Sequence, residues 1–552
     1  MRTVTIRACG ENTVTLPIGV TVDEALEACQ ERDVTPPVIA AFVNNEVRAL
    51  SYRLSINAEV RPIPVNTAVG QQVYRRSVCY ALAIAAYHAL PDVRLLIGHS
   101  LGNAYYYSFD GQNITDGHLE ALRGEMASLI ARDLPIRRGV VAYTDALEYF
   151  NGHRMHDAAL LVERHNYSEV PVYRCDDYMD LSYGPLAPST GLLTAWEIEK
   201  YENGFLLVFP TAENYRTVSP GERSTTLFQI YKEYKEWGRV LGISSVGQLN
   251  KLTETREIKG FIRVNEALQE KKIARIADQI DSSGEAEKVV LIAGPSSSGK
   301  TTFTKKLAIH LQAIGLSPIM ISLDDYFVPR ERTPLDENGK YDFERLEAID
   351  IALLNDHLLR LFNGEEMEIP SFNFKTGQPE YRGNRIVLPE RGVLLMEGIH
   401  GLNDALTPRI DPARKFKVYV SALTQLNLDD HNRISTTDNR LIRRMVRDHQ
   451  FRGHSAVATL EMWPSVRRGE NANIFPFQDS ADAAFNTALD YELGVLRNYA
   501  EPLLRQVKPW DAVYHEAVRL QTFLRNFSTI PEKHVPSESI LREFIGDSGF
   551  HY

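Results

Sequence analysis

The alternation of apolar and polar positions divides the chain into stretches of different character. Val4 to Ile6 and Thr13 to Pro17 alternate as two short strands about a turn at Cys9–Asn12. Thr21-Val-Asp-Glu24 has the capping-box form and opens a helix through Ala25, Leu26 and Cys29. Val38–Val43, turning at Asn44-Asn45, and Glu59–Pro64 read as returning strands, which predicts a small mixed α/β unit over residues 1–64. A helix is expected over Arg75–Pro91, then a strand at Val93–Ile97. Residues 225–285 read as helical and amphipathic (Leu227, Ile230, Tyr231, Tyr234, then Ile262 to Ile280), either a linker or a layer on one of its neighbours. Polar Asp281–Lys288 marks a boundary. Beyond it, Val289–Ala293, Pro318–Phe327 and Val393–Ile399 have the continuous apolar character of buried parallel strands, so the fold class is α/β.

The chemistry concentrates after the first of these strands. Gly294-Pro-Ser-Ser-Ser-Gly-Lys-Thr301 has the form G-x-x-x-x-G-K-[ST], with an apolar strand before it and a helical pattern (Phe303, Leu307, Leu311) after it. Glycines let backbone N–H groups curl around phosphates, and the helix N-terminus adds partial positive charge. In this reading Gly294, Ser296, Ser297, Ser298, Gly299, Lys300, Thr301 and Thr302 form an ATP-binding loop, with Lys300 on the β/γ-phosphates and Thr301 on Mg²⁺. Asp324 and Asp325 end the second strand and Glu397 the third. Ligands of α/β sheets lie beyond such strand ends, the layout of a Mg²⁺-dependent phosphoryl transferase.

Composition narrows the field. The 552 residues suggest three or four domains, and 44% hydrophobic with 24% charged residues is the make-up of a globular protein. A net charge of -11 argues against coating a polynucleotide. Cys9, Cys29, Cys79 and Cys175 are scattered, with no C-x-x-C pair, as expected of a reducing compartment. With no signal-peptide core and no stretch near the ~20 apolar residues of a membrane helix, a cytoplasmic, non-membrane protein is expected. Gly98-His-Ser-Leu-Gly102 imitates a nucleophile elbow, but the β-type run Asn103 to Phe109 follows where a helix is required, so a tight turn between strands is expected.

Together the loop and the strand-end acids resemble the uridine kinase and phosphoribulokinase group of P-loop kinases over about residues 286–500. The resemblance implies ATP- and Mg²⁺-dependent phosphorylation of a nucleoside 5′-hydroxyl, with Asp324 as base and Glu397 joining Thr301 at the metal. Phe343-Glu-Arg-Leu-Glu-Ala-Ile-Asp350 falls on the family's Phe-Asp-His-Pro segment, which implies that Glu344 accepts the ribose hydroxyls, with Tyr326, Phe343 and Phe372 on the substrate side. The family's uracil-reading tyrosine and histidine fall on Phe372 and Gly377, so uridine specificity is left open. Arg440, Arg443, Arg444, Arg447, Arg452, Arg467 and Arg468 suggest a phosphate-clamping lid, in which Arg447 and Arg452 match the family best.

Residues 1–64 resemble the β-grasp TGS domain of threonyl-tRNA synthetases. Residues 65–224 resemble the second additional (editing) domain of threonyl- and alanyl-tRNA synthetases, through Arg75–Pro91, Gly98–Asp110, Asp133–Ile136 and Tyr173–Thr190. The family's zinc-type ligands fall on Arg76, Tyr80, Ser182 and Leu186, which can neither hold zinc nor activate water, so editing chemistry is not expected. The resulting division is 1–64 β-grasp, 65–224 editing-like, 225–285 helical linker and 286–552 kinase-like, with helices of no assigned chemistry from 500. The module leaves room for RNA or tRNA contact and the chain for a homo-oligomer. A tRNA-binding or regulatory P-loop ATPase is the alternative reading.

Overall fold

Ser317–Ser322, Gly392–Glu397, Lys288–Ala293, Lys415–Ser421 and Ala483–Asn486 lie side by side in that order as a parallel sheet. The computed structural model describes all residues except 1–2, 9–12, 33, 165–167, 220, 222, 284–287, 336–338, 340 and 552, and the side chain of Arg239. The turn expected at Cys9–Asn12 lies outside them. Lys288–Ala293 is buried along its whole length, as its continuous apolar run requires of a central strand.

The helix Lys300–Ala313 packs Phe303, Leu307 and Leu311 on the sheet, and the long helix Ile258–Ser282 lies against it. Ile273, Ile276 and Ile280 of that long helix share one core with Val290, Val418 and Phe485. The helical stretch is therefore a layer on the sheet. Its shorter helix, Val246–Glu254, reaches the other way, to His156–Arg164.

Near the N-terminus, Thr13–Pro17, Thr3–Ala8, Ala58–Pro64, Val38–Val43 and Glu46–Arg48 form a second five-stranded sheet in that order. Thr3–Ala8 and Ala58–Pro64 run parallel and the other pairs antiparallel. The capping box forms: Glu24 N donates to Thr21 Oγ1 at 3.2 Å, and Thr21 N to Glu24 Oε2 at 2.7 Å. The next unit wraps two antiparallel sheets, of four and three strands, around the helix Ala68–Ala89. The Gly98–Gly102 run belongs mostly to the strand Leu95–Leu101, and only Gly102, with φ 59°, and Asn103 turn. No helix follows Ser100, so it has no elbow geometry.

Buried charge joins this unit to the parallel-sheet unit. Arg94 donates to Asp430 at 2.7 and 2.9 Å, to Asp157 at 3.0 Å and to Asp110 at 3.2 Å. Tyr183 donates to Asp429 at 2.7 Å, and His431 Nδ1 meets Asp180 at 3.1 Å. Burial pushes Asp157 and Asp429 well above the ordinary carboxylate range. Burial opposes the charge on His431, but the Asp180 carboxylate outweighs it and raises the imidazole to about 9. Among the described residues no helix is long and apolar enough to cross a membrane.

Candidate active site

The loop after the central strand is built for close approach. A Cβ on Gly294 would lie 1.9 Å from the Val420 carbonyl oxygen. Gly299, at φ 81°, turns the chain into the helix, and Ser297 also takes a positive φ. The hydroxyls of Ser297 and Ser298 are buried with no protein partner, as in a cradle made for another molecule's oxygens. Thr301 Oγ1 donates to Glu397 Oε1 at 2.9 Å, which brings two hard oxygen ligands together at the end of the neighbouring strand. That pair suits Mg²⁺.

The strand before Asp324 stops at Ser322, short of the expected Phe327. Ser322 Oγ accepts from Asp324 N at 3.2 Å, and a single 3₁₀ turn, Leu323–Tyr326, carries the acid beyond the sheet edge. Gly392–Glu397 ends at Glu397 as expected, and the chain turns at Gly398, where a Cβ would meet Leu323 at 2.6 Å. Burial raises Asp324, while Lys300 pulls it down. Glu397 is raised by burial, opposed by Lys300 and by the Thr301 hydrogen bond. Glu344 is pushed up to about 7 by burial and the charge of Glu470, against Lys300 and Arg444. Three carboxylates thus face the same lysine, the arrangement that marks functional sites.

The arginines divide. Arg440 and Arg443 lie on the helix Thr436–Arg452 and are almost fully buried, so they are not lid residues. Arg440 pairs with Glu470 and its Nε donates to Ser296 O at 3.0 Å. Arg443 pairs with Glu492 and donates to Thr487 O and Oγ1, each at 3.0 Å. Both hold the phosphate loop from behind. Arg444 donates to Ser296 Oγ at 2.7 Å, and Arg447 and Arg452 share Asp448 at 3.0 and 3.4 Å. Arg467 pairs with Glu470, and Arg468 is exposed.

On the acceptor side, Phe327, Phe343, Phe372 and Phe374 pack edge to face, with Phe372 buried and Phe374 59% exposed. Asp325 fixes this wall by accepting from Phe372 N at 3.3 Å. Tyr326, expected on the substrate side, is 1% exposed and its hydroxyl lies 3.1 Å from His357 Nδ1. It braces the acid turn from the core. Gly377, at φ 73°, closes a turn against Arg330.

Two carboxylates absent from the sequence reading meet the loop. Glu470 accepts from Ser296 N at 2.9 Å, and Glu543 accepts from Thr302 N at 3.1 Å and Thr302 Oγ1 at 2.6 Å. Both stand far along the chain from the loop, so no local spacing signals them. Phe374 was also missed, because alternating aromatics in a short hairpin look like core.

Residues 289–492 match the phosphoribulokinase/uridine kinase family. This segment is a kinase domain of that family. The chain is also 31% identical over 183 residues to threonine–tRNA ligase of Desulforamulus reducens, covering 33% of this chain and 29% of the relative. It is 28% identical over 192 residues to threonine–tRNA ligase 2 of Bacillus subtilis, covering 34% and 30%. The chain thus spans less than a third of these curated relatives. Its N-terminal region is homologous to threonyl-tRNA synthetase, in keeping with a TGS and editing-like module ahead of the kinase domain. A solved structure titled a possible uridine kinase from Bacillus stearothermophilus aligns with TM-score 0.25 and 20% identity, over 39% of this chain and 98% of that one.

In the editing-like module, Arg76 and Tyr80 stand one turn apart on Ala68–Ala89, and Leu186 closes on them. Tyr80 is buried against Tyr178, with ring centroids 5.6 Å apart, and burial drives its phenol far above the ordinary range. Where the synthetase pattern has zinc-type ligands, this chain has a packed aromatic and an arginine.

Proposed function

We propose that the protein transfers the γ-phosphoryl group of ATP to the 5′-hydroxyl of a nucleoside. The observation that carries this reading is the Thr301–Glu397 pair at 2.9 Å, beside a lysine faced by Asp324 and Glu344. Backbone N–H groups and hydroxyls from Gly294 to Thr302 hold the phosphates, and Lys300 answers the charge of the transferring group. Thr301 and Glu397 would hold Mg²⁺, which when bound neutralises phosphate oxygens. Asp324 takes the proton from the acceptor hydroxyl. The protein around this solvent-open carboxylate makes it a stronger base, against the pull of Lys300. Glu344 accepts the ribose hydroxyls, and Phe343, Phe372 and Phe374 form the wall for the base. Arg444, Arg447 and Arg452 supply positive charge around the phosphates.

The test is product formation by the full chain from Mg·ATP with a panel of nucleosides, pentose phosphates and buffer alone. Nucleoside 5′-monophosphates are expected. Because Phe372 and Gly377 offer no polar side chain to a base edge, rates for different bases should fall within about tenfold of one another. Slow ATP hydrolysis alone, with tight salt-dependent tRNA binding, would instead select an RNA-linked ATPase.

Glu344 gives the reaction a pH signature. Its carboxylate accepts from both ribose hydroxyls, whereas its acid form accepts less well and its pKa lies near 7. Acceptor kcat/KM should therefore rise with pH, by up to about tenfold per unit below 7, and level off above it. In Glu344→Gln this rise should be gone. An unchanged profile in that variant would assign the titration to another group.

A further inference from the structure

Away from the phosphate loop, the β-grasp sheet, the editing-like unit and the helix Tyr514–Leu524 enclose a cavity of about 370 Å³. Arg48, Arg53, Arg76, Arg138 and Arg519 line it against Glu46 and Glu516. Some of that charge is spent: Arg48 pairs with Glu46 at 2.7 Å, and Arg519 pairs with Asp438 at 2.7 Å and Glu516 at 2.8 Å. Arg76 and Arg138 have no carboxylate partner among the described residues. Arg76 donates to the Pro185 carbonyl at 2.9 Å, and Arg138 reaches only Ser182 Oγ, at 3.4 Å. Burial and the nearby charge of Arg519 both disfavour the Arg76 cation as it stands. A guanidinium held this way calls for an anion.

The cavity also offers flat surfaces. Tyr52, Tyr183 and His515 line it beside the arginines. Its volume suits a molecule of nucleotide size, larger than a lone oxyanion. From these features we infer that the cavity is a binding site for a free nucleoside phosphate, its phosphate between Arg76 and Arg138 and its base against the tyrosines. The site is distinct from the phosphate loop and independent of the activity proposed above. Two of the positions on which the synthetase family's zinc-type ligands fall, Arg76 and Ser182, line it. Arg519 ties it to the kinase-family domain, since Asp438 lies in the first turn of the helix that carries Arg444 and Arg447.

The experiment is calorimetric titration of the full chain with inorganic phosphate and with nucleoside 5′-mono- and triphosphates. Parallel titrations of Lys300→Ala, which weakens nucleotide at the phosphate loop, tell this site from the loop. One further nucleotide per chain is expected, bound at least tenfold more tightly than inorganic phosphate. Arg76→Gln and, separately, the exposed Arg138→Gln should each weaken it at least tenfold, with Arg76→Lys retaining part of the affinity. If Arg76→Gln fails to fold, Arg138→Gln alone decides. No further site at millimolar nucleotide, equal affinity for inorganic phosphate, or unchanged affinity in Arg138→Gln would each overturn the inference.

Discussion

Replacing Asp324 by asparagine should lower kcat by about 10³-fold while ATP affinity stays near that of the parent protein. The amide keeps the shape of the carboxylate but has no lone pair able to take a proton at neutral pH. Its surroundings then lose one negative charge, which leaves Lys300 facing Glu344 and Glu397. Single-turnover phosphoryl transfer, with ATP binding followed separately by fluorescence or calorimetry, checks both halves of the expectation. If the variant loses ATP binding and retains turnover at saturating ATP, the proton acceptor lies elsewhere. Lys300→Ala, by contrast, should weaken both steps, because its charge serves the phosphates in the ground state and the transition state.

The second large effect is structural. Arg443→Ala should cost about 3–5 kcal/mol of stability, because Glu492, 2% exposed, would be left as an unpaired buried charge. Three further donor contacts, to Thr487 and to the Ser297 carbonyl, go with it. Chemical denaturation followed at the phosphate-loop domain gives the measurement. A double variant, Arg443→Met with Glu492→Leu, should recover much of the loss, since an apolar pair of similar volume avoids the desolvation of two ions. If the single and double variants are equally destabilised, the loop contacts matter more than the stranded charge.

How much of this was legible in the sequence depended on whether the signal was local. The phosphate loop was fully so, because strand, glycines, lysine, threonine and helix are contiguous. The capping box at Thr21 and Glu24 was legible for the same reason. The strand end at Glu397 is legible, whereas the strand before Asp324 reads too long, because apolar residues continue past the point where Ser322 turns the chain. The arginine cluster was seen but not sorted. Spacing puts Arg440 and Arg444 on one helix face, yet only the distant Glu470 and Glu492 decide which arginines are buried supports and which face the cleft. The burial of Tyr326 is not legible for a related reason, since its partner His357 lies on a different helix. The cavity behind Arg76 needed three segments to meet, and no window of sequence holds them.

The junction at Arg94 has a consequence for how such a protein can change through descent. Asp429 and Asp430 belong to the parallel-sheet unit, yet each depends on a group contributed across the seam, by Tyr183 and Arg94. Deleting either unit would remove one half of these pairs and uncover the other half to water, so neither can be lost without reworking the surface of the other.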